Sequence, residues 1–111
     1  MAFSIQKSER NGVPILHLVG MLMDNDVYWF SREMKALLKS GAIKAVIDLT
    51  QTEFIDSHGL GLLVYHYTAM QKEGKQLIIL NENKDPYAYI NGLLQTTGLI
   101  NLLRVDTCKT F

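Results

Sequence analysis

The sequence predicts an α/β fold, a mixed and mostly parallel sheet with helices packed on it, in the order β-β-α-β-α-β-α-β. Three observations carry this. Short apolar, β-branched runs alternate with segments whose apolar residues recur at helical spacing. Strands separated by amphipathic helices need crossover connections, and these make neighbouring strands parallel. The chain also opens with two strand-like runs joined through Asn11-Gly12, a pair that marks a tight antiparallel hairpin. With 111 residues the chain has the usual size of one domain, so residues 1–111 are expected to form a single unit.

Each element has its own signal. Phe3, Ile5 and, less clearly, Lys7 alternate with polar residues in the first strand. After the Asn11-Gly12 turn, Val13-Pro14-Ile15-Leu16-His17-Leu18-Val19 reads as the second strand, ended by Gly20. Asp24, Asn25 and Asp26 are helix N-cap residues, and behind them Val27, Phe30, Met34, Leu37 and Leu38 make one apolar face. Gly41 stops that helix. Ile43 to Leu49, interrupted by Lys44 and Asp48, is a buried strand. The next helix starts near Ser57, with Leu60, Leu63, Val64, Tyr67 and Met70 on its inner stripe, and ends at Gly74. Tyr67 is placed inside and Tyr65 on a flank. Leu77-Ile78-Ile79-Leu80 is a continuous apolar strand of the parallel-sheet kind. Asp85-Pro86 opens a third helix, with Ile90, Leu93 and Leu94 inward and Gly98 as its stop. Leu102-Leu103-Arg104-Val105 is the last strand.

Composition excludes several function classes. Eleven basic and eleven acidic residues cancel, and no three basic residues run together, so no groove for a nucleic-acid backbone is expected. Cys108 is the sole cysteine, which rules out an internal disulfide and a thiolate zinc site. His17, His58 and His66 lack ligand spacing, so neither metal nor other cofactor is expected. The apolar runs fall far short of the roughly 20 residues that cross a bilayer, and the first residues lack the apolar core of a signal peptide. These features describe a soluble cytoplasmic protein with no membrane insertion.

The informative stretch runs from Val46 to Leu63: strand, short loop, helix. Asp56 and Ser57 lie where a helix needs side-chain acceptors for its free N–H groups. Gly59 and Gly61 in the first turns cost about 1 kcal/mol each relative to Ala. Such a cost signals close approach to the backbone, by a neighbouring strand or by a partner protein. Tyr28 and Trp29 flank the inner stripe of the first helix, either covering a core edge or serving as exposed interface anchors.

Asp48-Leu49, then Phe54-Ile55-Asp56-Ser57, then Gly59-Leu60-Gly61 resembles the signature of STAS domains, an Asp-Ser-Ser/Thr-Gly core after a strand. Gly20 with Leu22 is similar to that family's turn after the second strand. Thr97-Gly98-Leu99 followed by Leu102-Leu103-Arg104-Val105 is similar to its Ser-Gly-Leu segment and final strand. The resemblance covers Phe3 to Val105. His58 stands where the family carries Ser or Thr, and Asp24 follows by one residue the position, here Met23, where the family often carries Asp.

The resemblance is to anti-sigma-factor antagonists in particular, and it implies a protein-binding switch rather than an enzyme. In that family the Ser after the Asp is phosphorylated by an anti-sigma factor that is also a serine kinase of the GHKL type, and a PP2C-type phosphatase resets it. The acceptor here would be Ser57, and the partner-binding residues Asp24, Trp29, Asp56, His58, Gly59, Leu60 and Gly61. A monomer is favoured. The physical logic is that phosphoserine adds about −1.5 to −2 charges, which a helix N-terminus tolerates and a partner surface built for a neutral Ser does not. The alternative is a constitutive STAS scaffold in a lipid-transport or sensor complex. A small enzyme has little support, because the acidic and His residues do not group into a pocket of convergent titratable groups, and a Ser57–His58 pair would point its side chains about 100° apart on a helix, with no third group to orient them.

Overall fold

The structure, a computed structural model, describes residues 2–111. Six strands form one sheet: β1 (Ser4–Arg10), β2 (Val13–Leu22), β3 (Lys44–Asp48), β4 (Thr52–Ile55), β5 (Gln76–Leu80) and β6 (Val105–Asp106). Helices α1 (Asp26–Lys39), α2 (Ser57–Lys72), α3 (Tyr89–Thr96) and the single turn α4 (Leu99–Leu102) connect them. The strands lie in the order β1-β2-β3-β5-β6, with β4 also pairing β2. Only β1 and β2 are antiparallel, joined at Asn11 and Gly12, whose positive φ angles of 51° and 79° are what a tight hairpin turn demands.

The architecture is the mostly parallel α/β sheet expected, with four differences. β2 does not end at Gly20. It runs to Leu22, and Gly20, at φ +93°, marks a register shift where the strand changes neighbours. Ile15–His17 pair with β3, while Gly20–Leu22 pair with β4. The second difference is β4 itself, four residues in a stretch too polar to read as a strand. It is held from outside: Thr52 Oγ1 donates to the Leu18 carbonyl at 2.6 Å, and the Gly20 N–H donates to the Gln51 carbonyl. Third, Leu102–Val105 is not one strand. Gly98 at φ +73° restarts a helical turn, burying Leu99 and Leu103 one turn apart and leaving Leu102 exposed, and only Val105 and Asp106 reach the sheet. The third helix also begins later than Asp85-Pro86, at Tyr89, after a turn in which Asp85 Oδ1 accepts from the Tyr87 N–H.

The core lies between the helices and one face of the sheet. Val27, Phe30, Met34 and Leu37 from α1 and Leu63 and Met70 from α2 meet Leu16, Leu18, Ala45, Ile47, Leu77 and Ile79. Fully burying such side chains contributes about 1.5–3 kcal/mol each. The other face carries a smaller apolar cluster, Ile15, Val46, Ile78 and Leu80, on which Val13 and Phe111 pack. Among the described residues no helix is long and apolar enough to cross a membrane.

Candidate functional site at the start of α2

Because β4 pairs with the end of β2, the loops that leave these two strands emerge side by side. The Asp56 N–H donates to the Leu22 carbonyl at 3.0 Å, the last rung of that pairing. Asp56 is the N-cap of α2: extended backbone, with Oδ1 accepting the Gly59 N–H at 2.7 Å. Its other oxygen, Oδ2, accepts the Asp24 N–H at 3.1 Å. One carboxylate thus clamps the turn after β2 to the helix start. The Gly59 N–H chiefly, with help from the Asp24 N–H and from His58, holds the Asp56 carboxyl below its ordinary pKa against an opposing effect of burial.

Asp24 is exposed and sits at φ +55°, a conformation that Asp tolerates better than most residues. The backbone, not the side chain, is what it contributes. The first turn of α1 is likewise closed by backbone bonds, from the Asp26, Val27 and Tyr28 N–H groups to the carbonyls of Met23, Asp24 and Asn25, rather than by a side-chain cap.

Ser57 is exposed as the first residue of α2, and its hydroxyl makes no hydrogen bond among the described residues. Capping belongs to Asp56 alone, so the hydroxyl is free for chemistry. His58 is also exposed, its ring edge-on to Tyr28 with centroids 6.3 Å apart. Tyr28 is 67% exposed, so the aromatic beside Ser57 is Tyr28; Trp29 instead stands edge-on to Phe3 at 5.6 Å, half-buried.

The two glycines of the motif do different things. Gly59 is buried, and a Cβ there would lie 3.1 Å from both Leu22 Cγ and Ile55 Cγ2. It is the neighbouring strands that approach here. Gly61 is exposed, with open space around it. Leu60 is partly buried and packs on the core. Ser57, His58 and Gly61 with Tyr28 and Asp24 are thus the exposed residues here, while Asp56, Gly59 and Leu60 are partly or fully buried beneath them.

The burial of His66 escaped the sequence reading. It is 3% exposed on α2, edge-on to Phe30, with Nε2 3.5 Å from Ser31 Oγ. The signal was available, since Leu63, His66 and Met70 follow helical spacing on the buried face. Tyr67 is partly buried as expected, its hydroxyl accepting the Arg104 N–H at 3.0 Å, and Tyr65 is exposed.

The fold is shared with known proteins. The fold matches an anti-sigma factor antagonist from Mycobacterium paratuberculosis with a TM-score of 0.78, at 21% identity over 96% of this chain and 87% of that one. It matches the anti-sigma factor antagonist SpoIIAA in its unphosphorylated form with a TM-score of 0.68, at 16% identity over 97% and 90%. It also matches the Bacillus cell fate determinant SpoIIAA in the phosphorylated form, with a TM-score of 0.65, at 20% identity over 96% and 92%. No curated protein matches the sequence significantly. The STAS domain family matches residues 4–110, nearly the whole chain, and the chain belongs to that family.

Proposed function

We propose that this protein is a cytoplasmic partner switch of the anti-sigma-factor antagonist type, whose switching at Ser57 involves no catalysis by this chain itself. In its unphosphorylated state it binds a GHKL-type anti-sigma factor kinase through the surface around Ser57, phosphorylation of Ser57 releases that kinase, and a PP2C-type phosphatase restores binding. The observation that carries this reading is the exposed, unbonded hydroxyl of Ser57 at a helix start whose cap is already supplied by Asp56. A hydroxyl so placed is open to a kinase without any unfolding, and its modification disturbs no internal contact.

The electrostatics favour a release mechanism. A phosphate on Ser57 adds about −1.5 to −2 charges beside Asp56, whose carboxyl is held ionised, and beside the exposed Asp24. A partner packed against the exposed Gly61 and the Tyr28–His58 pair would have to bury that charge. Leaving a charge buried and unpaired costs about 3–5 kcal/mol, enough to end a moderate interaction. Solved SpoIIAA structures of both phosphorylation states share this fold, which supports a switch that acts on the surface rather than on the core.

The test is incubation with ATP and candidate GHKL kinases, read by intact mass. One phosphate is expected on the wild type and none on Ser57→Ala, and Ser57→Asp is expected to bind the kinase weaker by about 3 kcal/mol or more. Equal binding of wild type and Ser57→Asp, or no mass gain with any such kinase, would overturn the switch and favour the constitutive scaffold.

A further inference from the structure

On the sheet face turned away from the helices, three polar side chains from three adjacent strands form a continuous relay. Ser8 Oγ on β1 lies 2.6 Å from His17 Nε2 on β2, and His17 Nδ1 lies 2.7 Å from Asp48 Oδ2 on β3. Strand alternation puts them there: His17 and Asp48 are directly paired across the parallel rung, and both share their strand face with Ile15 and Val46 of the outer apolar cluster. Ser8 is opposite Ile15, two residue pairs along from the Gln6–His17 pair and so on the same face of the sheet.

The hydrogen bonds have a direction. An ionised carboxylate only accepts, so the proton on Nδ1 points at Asp48. In the neutral imidazole Nε2 is then the acceptor, and the Ser8 hydroxyl donates to it. Asp48 is fixed independently. It is 8% exposed, and its Oδ1 accepts both the Thr50 N–H at 2.9 Å and the Thr50 hydroxyl at 2.6 Å. A hydroxyl bound to an imidazole that is oriented by a buried carboxylate is the arrangement that raises serine nucleophilicity. Gln or Asn at position 17 would tie the strands together as well, but could not take up the serine proton. Ser8 is exposed, on the edge strand of the sheet, so a reagent can reach it. A cleft of about 290 Å³ beside the relay is lined by His17 and Asp48 together with Gln6, Glu82 and Lys109.

We propose that Ser8 is a second reactive serine, distinct from Ser57, which takes acyl groups from activated carboxylic esters. Ser8 Oγ forms a bond to the acyl carbon while its proton passes to His17 Nε2. The ester C–O bond then breaks and the proton goes to the departing oxygen, leaving an acyl ester on Ser8. Water, deprotonated by the same imidazole, cleaves that ester to a carboxylic acid and restores the serine. Ser8 and His17 touch the reacting atoms; Asp48 is a positioning residue.

The test is treatment of the whole protein with an alkyl fluorophosphonate, followed by intact mass and peptide mapping, with p-nitrophenyl acetate as a second probe. One adduct on Ser8 is expected, with loss of fluoride, and an acetyl-Ser8 species after the ester. Ser8→Ala abolishes both, and because residue 8 is exposed this variant keeps the fold. His17→Gln slows labelling on the order of a hundredfold, the scale of a lost general base. Asp48→Asn slows labelling in protein that is still folded, and Asp48→Glu partly restores it. A purely structural Asp48 would change the melting temperature alone. Ser57→Ala labels like wild type, so this proposal and the Ser57 switch fail independently. No adduct on the wild type, an adduct on another residue, or full labelling of His17→Gln would overturn it.

Discussion

The Asp56 carboxylate accepts the backbone N–H of Asp24, 32 residues earlier, at 3.1 Å, while its other oxygen caps α2 through Gly59 at 2.7 Å. The turn after β2 and the start of α2 are therefore one unit, and the exposed Ser57 rides on it. Asp56→Ala removes both bonds. The lost cap alone is expected to cost about 1 kcal/mol, and the orphaned Asp24 N–H, being exposed, adds little. Urea unfolding measures the sum.

The same carboxylate makes a pH prediction. Hydrogen bonds from Gly59, then Asp24, hold its folded pKa below the ordinary value. A carboxyl depressed in the folded state stabilises at pH values above its unfolded pKa, about 3.9 for Asp. That contribution is complete at neutral pH and disappears as the pH falls through the depressed folded value. Asp56→Asn should narrow the gap in urea midpoint between neutral and strongly acid solution; an unchanged gap would mean the cap carries no linked proton.

His66 acts in a higher range. Burial, with the charge of Lys35, lowers its folded pKa. Once the pH drops below the unfolded histidine value, about 6.5, the unfolded chain gains a proton that the folded one resists. Stability must therefore fall on acidification until the folded imidazole also protonates. Between about pH 7.5 and about pH 5.5, His66→Gln should lose less stability than wild type, measured by urea midpoints at both pH values.

Gly59 and Gly61 should respond oppositely to Ala. At Gly61 nothing stands within 4 Å of a new Cβ, and the helix gains up to about 1 kcal/mol. At Gly59 the Cβ crowds Leu22 and Ile55, which are 0% and 3% exposed. Overpacking a filled core costs about 1–3 kcal/mol, which exceeds the helical gain, so Gly59→Ala destabilises. Thermal unfolding of the two variants reads both signs. If the kinase packs against Gly61, Gly61→Ala also weakens its binding while the fold grows more stable.

Ser57→Asp should leave the fold within about 0.5 kcal/mol of wild type, because the hydroxyl is exposed and unbonded. A larger loss of stability would mean that a charge at this site acts on the fold and not only on a partner.

Much of this molecule was legible in its residues. The apolar stripes of α1 and α2, the continuous run of β5 and the Asn11-Gly12 hairpin are local signals, each contained within a few turns or one strand, and each element forms where its pattern lies. Asp56 as a cap at a helix beginning near Ser57 followed from residue type and position, whereas the exposure of Ser57 and its absence from the cap came from the structure.

What had to await tertiary structure depends on partners distant in the chain. β4 is a strand because the end of β2 is beside it, and Thr52-Glu53 carries no such signal alone. Gly20 serves as a hinge between two neighbours of one strand, where local reading sees only a stop. The division of labour between Gly59 and Gly61 rests on where Leu22 and Ile55 come to lie, and the Ser8–His17–Asp48 relay on the order of three strands. Periodicity and capping are properties of consecutive residues, so sequence alone determines them. Close packing and side-chain hydrogen bonds between strands are properties of surfaces brought together by the fold, and only the folded chain decides those.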